Sequence, residues 1–512
     1  MTTTSRIEDS PNRNAASVTQ GGQGRAKSAV GTITSAPGLI ATSFVTAVFW
    51  TCRGRIADPD LWWHLRNAQY LVTTLRLPNV DVYSYTTAGA HWIDHEWLSE
   101  LFYYGAYRSL DLRGVFFLFA AALAALVVAE FWLCLKENGN PWAATFAAFL
   151  GYLLQLVAFG PRTQTFGWLC FAAVFAVLLR FRSVRRAPLW LLPPIFCLWI
   201  NLHASWVLGM AVYTIFLVAG LIRHDIGRLA ADPWSKSELK ELALAGLASV
   251  AALFANPYGY RLVLFPIARI FNDVVVPAGG GIEEFGPVNF QDGRGKLVAL
   301  VLGLIFVMAI AGRKRWRIDN ALLTAFVLYG GLVHLRLLFL AGIVLPPVLA
   351  PQFGQIGLFP GRRPPRILNW AWLAIVLGAL VFSFPSADDL QAQIAEFFPV
   401  RAVDYLRANP QPGNIFNLYK WGGYLEWNLP EVRTFIDGRG DQVDSRGVPL
   451  DRFRDYMQVE ALQNPEEVFN RFKVSYVLFP ANTPLVYYLS NSPQWECIYS
   501  DYQAVIYRIA QP

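Results

Sequence analysis

Two short stretches of this 512-residue chain hold most of the side chains that could do chemistry. IADPDLWWHLRNAQYL (56–71) sets Asp58, Asp60 and His64 among large aromatics, and IDHEWL (93–98) places Asp94, His95 and Glu96 in succession. Asp60 and His64 are four residues apart, so on a helix both project from one face. Further along come Arg162 in FGPRTQ, Asn201 and His203 in INLHAS, Asn256 in ANPYGY, and His334 with Arg336 in VHLRLL. Carboxylates and imidazoles of this kind move protons, and arginines hold anions such as phosphate. Asp60, His64, His95 and Glu96 also form a mixed oxygen and nitrogen donor set for a divalent metal, at spacings that are not diagnostic of one.

Each of these residues also has a structural reading. Asp58 before Pro59 is the usual cap and first-turn pair of a helix, and Asp94 can cap in the same way. Asn256 in NPYG suits a turn. Asn201 and His203 can bond backbone between helices, and Arg336 can snorkel to headgroups. Asp60, already inside the first turn, has no cap to supply, and is the favoured functional carboxylate.

The elements that position these groups follow from composition. The chain is 54% hydrophobic and only 15% charged, against about 25% charged in a typical soluble domain. A multi-pass membrane protein is expected, and the net charge of +7 reads as cytoplasmic Lys and Arg rather than as a nucleic-acid partner. Five scattered cysteines form neither a disulfide framework nor a metal pattern. Residues 1–35 are too polar to order themselves and read as a disordered cytoplasmic tail.

Apolar stretches long enough to span fall near 37–53, 114–135, 142–160, 164–180, 188–203, 205–222, 241–256, 297–312, 318–334, 336–350 and 367–384, about eleven spans within residues 36–384. With the N-terminus inside, the basic clusters RFRSVRR (180–186), RHDIGRLAADPWSKSELK (223–240), GRKRWR (312–317) and GRRPPR (361–366) all fall on the cytoplasmic side. The first loop, 54–113, and residues 385–512 then lie outside. The loop holds two amphipathic helices expected to lie along the membrane surface, one with Leu61, Leu65, Ala68 and Val72 and one with Leu98, Leu101 and Phe102 on the apolar face. Residues 385–512 alternate helix-like and strand-like runs, as in an α/β or α+β soluble domain.

On this topology Asp58, Asp60, His64, Asp94, His95, Glu96, Arg162, Asn201, His203 and Arg336 share the outer face, with five of the six histidines. Polar groups gathered at a membrane boundary mark a functional site by default. A carboxylate near phosphate-binding arginines suits sugar transfer from a lipid-linked phosphate donor: the carboxylate takes the acceptor's proton, and a phosphate leaving group needs no general acid.

The outer loop, DPDLWWHLRNAQYL through LPNVDVYSYTTAGAHWIDHEWL, resembles the first external loop of the GT-C glycosyltransferases, among them oligosaccharyltransferases, protein mannosyltransferases and aminoarabinose transferases. The resemblance implies an inverting transferase that uses a polyprenyl-phosphate-linked sugar, with Asp60 or Asp58 as the first acid and Asp94 or Glu96 as the second. It also implies a glycan, lipid or protein acceptor, the bilayer as partner, and Mg2+ or Mn2+ as candidate cofactor. LRLLFLAGIVLPPVLA is similar to a late Arg-plus-proline span of these families, which puts Arg336 near the donor phosphate, with His64, His95, Arg162, Asn201 and His203 as further substrate contacts. YKWGGYLEWNLPEVRTFIDGRGD (419–441) only distantly resembles the oligosaccharyltransferase Trp-Trp-Asp-Tyr-Gly motif, since Trp421-Gly422-Gly423-Tyr424 lacks the Asp; sequon recognition is not implied. Asp437, Arg439 and Asp441 there either face the cavity or close a loop. The expected location is a bacterial inner membrane with a periplasmic C-terminal domain. A lipid-linked saccharide flippase and a non-catalytic assembly subunit are the alternatives.

Overall fold

The computed structural model describes residues 33–271, 286–311, 315–354, 366–439 and 452–510. Most of the polar tail, part of GRKRWR, most of GRRPPR, and Asp441 lie outside the described residues. In chain order the helices are α1 (Ala36–Cys52), α2 (Pro59–Thr74), α3 (Trp97–Asn138), α4 (Pro141–Gln155), α5 (Gln164–Val184), α6 (Leu192–Leu202), α7 (Trp206–Ala219), α8 (Lys236–Ala252), α9 (Tyr260–Phe271), α10 (Gly293–Ala311), α11 (Ile318–Val333), α12 (Leu338–Phe353) and α13 (Arg366–Ser383).

All eleven apolar stretches are helical. Among the described residues three helical stretches, α3, α5 and Leu335–Phe353, are by themselves long and apolar enough to cross a membrane, and a fourth joins them if Ile367–Phe382 and Ala387–Phe397, bent by 55°, count as one. Ala36–Cys52, Leu189–Leu202, Trp206–Ala219 and Ile318–Val333 are shorter apolar helices. The extra helix α9 follows the Asn256 turn, in which the side chain accepts from the Tyr258 amide at 2.9 Å and donates to the Leu253 and Gly259 carbonyls.

Small residues let α4 and α12 cross closely, as is common between helices in lipid. A Cβ at Gly151 would overlap the Gly342 carbonyl oxygen and Pro346, and one at Gly342 would come within 2.8 Å of the Gly151 carbonyl oxygen. Beside this crossing the Gln155 amide donates to both oxygens of the fully buried Glu130 carboxyl at 2.7 Å. At the far end of α5, Arg182 pairs with Glu137 at 2.8 Å and Asp319 at 3.0 Å, and Arg317 joins Asp319 to Asp232. These contacts fix the helices whose other ends carry the candidate residues.

The loop helices differ from the expectation of a membrane-surface pair. Leu61, Leu65 and Ala68 of α2 are fully buried, and Trp62 packs edge-on against Phe398 and Tyr424, at centroid distances of 5.8 and 5.0 Å. Protein, not lipid, therefore covers the apolar face of α2. The second expected helix is the first part of α3, which continues across a kink at Leu110 and Asp111 into the long apolar stretch.

After α13 come α14 (Ala387–Phe397) and α15 (Val400–Ala408), then β3 (Asn414–Asn417), α16 (Gly422–Asn428), α17 (Arg452–Glu460), α18 (Pro465–Phe472), β4 (Val474–Pro480), α19 (Pro484–Ser490), β5 (Trp495–Ser500) and β6 (Ala504–Ile509); the short β1 (Leu229–Ala230) and β2 (Trp316–Arg317) pair earlier in the chain. The C-terminal sheet has the order β3-β4-β6-β5, with β3 and β4 parallel and the other pairs antiparallel. Phe416, Phe469, Val477 and Phe479 fill a core between it and the helices.

Because a methyl group at Gly342 has no space, Gly342→Ala should lower the thermal unfolding midpoint of the purified protein, at an overpacking cost of about 1–3 kcal/mol. Gly303→Ala, where nothing lies within 4 Å, should leave the midpoint in place or raise it; differential scanning fluorimetry compares the two.

Candidate active site

Asp58 caps α2 through its Oδ1, which accepts from the Asp60 amide at 3.0 Å, while its Oδ2 accepts from Arg162 Nε at 2.8 Å. The capping reading and the charged-site reading therefore hold together. Arg162 sits on the α4–α5 connection, where its own carbonyl oxygen accepts from the Tyr103 hydroxyl at 3.1 Å. Asp60, one residue into α2, faces another way: its Oδ1 accepts from Trp63 Nε1 at 3.2 Å beneath the backbone of Gly438.

Glu96 ends the loop at the start of α3 and is ringed by three imidazoles. His203 Nε2 lies 3.1 Å from Oε1, His95 Nε2 3.6 Å from Oε1, and His64 Nε2 3.6 Å from Oε2. His203 Nδ1 accepts the Ser205 amide at 3.0 Å, so its proton rests on Nε2 and is donated to Glu96. Burial pushes the Glu96 carboxyl up, but His95, His203 and His64 together hold it well below the usual carboxylate range. Burial lowers His64 to about 4 against the opposing charges of Glu96 and Asp58. At neutral pH the site holds an ionised Glu96 beside a neutral His64. His95 is further fixed by stacking on Phe265 of α9, with ring centroids 4.7 Å apart.

Asp94 is bound into a neighbouring buried cluster. Its Oδ1 accepts the Glu96 amide at 3.2 Å, and its Oδ2 shares the Asn67 side-chain amide with Glu100, each at 2.6 Å. Glu100 in turn lies 2.9 Å from His64 Nδ1. Burial raises Asp94 to about 7.

Asn201 takes the structural reading: it accepts from Trp97 Nε1 at 3.1 Å and donates to the Cys197 and Ala255 carbonyls. Arg336 opens the α12 region with a bond from its guanidinium to Gln164 Oε1 at 3.2 Å, and its charge is felt at His203. Next to it, an apolar cavity of about 230 Å3 runs between α7, α11 and α12, lined by Leu208, Phe326, Tyr329, Val333 and Leu340 with His334 at its end. Among the described residues no group of three or more His, Cys, Asp or Glu is arranged as a metal cage.

No known family description matches the sequence, and no curated protein matches it. Solved structures do match in fold. The Archaeoglobus fulgidus oligosaccharyltransferase tethered to an acceptor peptide containing the NVT sequon has a TM-score of 0.53 at 13% identity, covering 92% of this chain and 74% of that one. Its apo form gives 0.50 at 12% over the same shares. ArnT from Cupriavidus metallidurans, bound to undecaprenyl phosphate, gives 0.48 at 12%, covering 90% of this chain and 96% of that one. The chain shares the fold of the Archaeoglobus fulgidus oligosaccharyltransferase.

Within this fold the residues singled out in the sequence divide. Asp58, His64, His95, Glu96, Arg162, His203 and Arg336 gather around the helix connections at one end, whereas Asp94 and Asn201 are consumed in local bonds and Asp60 faces the C-terminal domain. Glu100, Asn67 and Gln164 are polar groups of the same region that the sequence reading passed over. Glu100 carries a signal in its spacing, four residues after Glu96 and so on the same face of α3. Asn67 carries none.

The Asp94 carboxyl holds its proton more tightly folded than unfolded, so its contribution to stability is full below about pH 4 and lost as pH rises through about 7. Asp94→Asn should flatten that part of the stability profile and unfold at a higher temperature than the wild type at pH 8, as read by melts across the pH range.

Proposed function

We propose that this chain is an integral-membrane, inverting glycosyltransferase that moves a sugar from a polyprenyl-phosphate carrier to an envelope acceptor on the outer face of a bacterial inner membrane. Eleven crossings, a cytoplasmic N-terminus and a periplasmic C-terminal domain belong to this reading. The observation that carries it is the meeting, on the fold shared with the oligosaccharyltransferase, of the partly buried Asp58–Arg162 pair, an ionised Glu96 among imidazoles, and Arg336, which lies in the chain between His334 and Leu337 of the apolar cavity lining.

The division of labour follows from these surroundings. The apolar cavity between α7, α11 and α12 suits the first isoprene units of the carrier, and Arg336, with Arg162 near by, suits the phosphate. Asp58 rather than Asp60 is the base in this reading, because its charge reaches His64 in the Glu96 cluster, whereas Asp60 is turned to Trp63 and Gly438. A carboxylate is a weak base toward a resting hydroxyl or amide. Asp58 accepts the proton as the new bond to the anomeric carbon forms, when that proton becomes strongly acidic. The bond from the anomeric carbon to the phosphate oxygen breaks on the opposite face, and the phosphate departs with the electron pair against the guanidinium charge.

Among the described residues the donors expected for a divalent metal, Asp60, His64, His95 and Glu96, are not arranged as a metal cage, and Asp60 is turned to Trp63; this reading routes no step through a metal.

Purified protein in nanodiscs, supplied with undecaprenyl-phosphate-linked monosaccharides and envelope acceptors, should form glycosylated product. Asp58→Asn should cut the rate about 10²- to 10⁴-fold in a protein that melts normally; unchanged transfer overturns the assignment. Movement of the lipid-linked sugar across a vesicle bilayer without product would make the chain a flippase instead. Arg336→Ala should weaken undecaprenyl phosphate binding about tenfold or more, as the loss of a charge-assisted bond of about 1.5–3 kcal/mol requires, measured by native mass spectrometry.

A further inference from the structure

We propose that the C-terminal domain is a working part of the reaction centre, with Gly423, Gly438 and Arg439 as positioning residues that hold the first turn of α2, and so Asp58 and Asp60, in place. The consequence for turnover rests on the glycosyltransferase reading; the contact itself does not.

Two backbone segments of that domain lie directly on α2. A Cβ at Gly423 would stand 3.0 Å from the Trp63 amide nitrogen and 3.1 Å from the Pro59 carbonyl oxygen. One at Gly438 would overlap Asp60 Oδ1 and reach Trp63 Nε1 at 2.8 Å, breaking into the bond that those two side chains make. A third glycine, Gly422, lets the two segments close on each other, since its Cβ would overlap the Ile436 carbonyl oxygen. None of the three has a positive φ. Glycine is required here by the closeness of approach and not by a turn.

Arg439 fastens the arrangement to the outer loop. Its side chain is 1% exposed and pairs with Asp81 of the loop at 3.2 Å, with Glu426 of α16 at 3.5 Å and with Asp437. The guanidinium lies over the rings of Tyr83 and Trp92, at 4.7 and 5.0 Å, and Trp92 packs edge-on against Trp63. Burial and the charge of Asp437 push the Glu426 carboxyl well above the usual carboxylate range, against the opposing charge of Arg439. Backbone bonds complete the strap: the Tyr85 amide donates to the Thr434 carbonyl at 3.1 Å and the Thr434 amide to that of Tyr83 at 3.2 Å. One connected path therefore runs from Asp81 through Arg439 and Gly438 to Asp60, two residues from Asp58.

The test uses the full chain in nanodiscs, with Gly438→Ala, Arg439→Met and Arg439→Lys beside the wild type. Transfer from an undecaprenyl-phosphate-linked sugar is normalised to sites that bind undecaprenyl phosphate, so that misfolded protein does not count. Gly438→Ala and Arg439→Met should lower kcat about 100-fold, the scale expected of a misplacement near 1 Å, with KM for the donor within about threefold. Arg439→Lys, which keeps the charge, should fall between. Wild-type turnover per binding site in Gly438→Ala overturns the proposal. If the wild type transfers no sugar from any donor, the glycosyltransferase reading fails and amide exchange decides the positioning: faster exchange over residues 56–66 in both variants supports it, and unchanged exchange overturns it.

Discussion

The first turn of α2 is the point on which the rest of the site depends. A carboxylate as buried as Asp58 is tolerated only if its oxygens are satisfied, because an unpaired charge away from water costs several kcal/mol. One oxygen holds the helix cap and the other holds Arg162, so a single side chain sets where α2 begins and where the α4–α5 connection lies against it. Tyr103 then ties that connection to α3, and Gln164, two residues beyond Arg162, receives Arg336. Moving any one of these connections would strip a partner from a buried polar group.

The same accounting explains the distribution of charge in a chain with so little of it. Arg182, with a side chain 5% exposed, is met by two carboxylates and the Asn320 amide oxygen at one end of the bundle. Glu130, within the apolar stretch of α3, has Gln155. At the other end the pattern changes: Glu96 is met by three imidazoles, while Asp58 is paired with Arg162 and Arg336 reaches Gln164, so anionic and cationic groups lie side by side. A centre divided in this way suits a reaction in which a proton leaves one partner and negative charge develops on another.

Much of this was legible before any fold was known, and the reasons are physical. A helix satisfies the backbone of an apolar run from within the run itself, and all eleven apolar stretches are helical. Asp58-Pro59 announced a helix start, and histidines and acids at the ends of apolar runs announced a polar face. The roles within the pair were not legible. The sequence favours Asp60, which has no cap to supply, as the functional carboxylate; in the fold it meets Trp63 and the backbone of Gly438, and the charge of the capping residue Asp58 reaches His64. Spacing along a helix cannot say what comes to cover the helix from 380 residues away.

What the sequence by itself determined is the set of local elements and the chemistry available at their ends, because hydrogen-bonding need and side-chain type act at short range. What only the tertiary structure decided is which ends meet: that His203 joins His64 and His95 on Glu96, that Asn67 joins Asp94 to Glu100, and that Leu61, Leu65 and Trp62 face protein rather than lipid. An apolar face is equally satisfied by a bilayer, a helix or a domain. The choice was made by the close fit of three glycines and one buried arginine, contacts whose energy exists only once distant parts of the chain are in place.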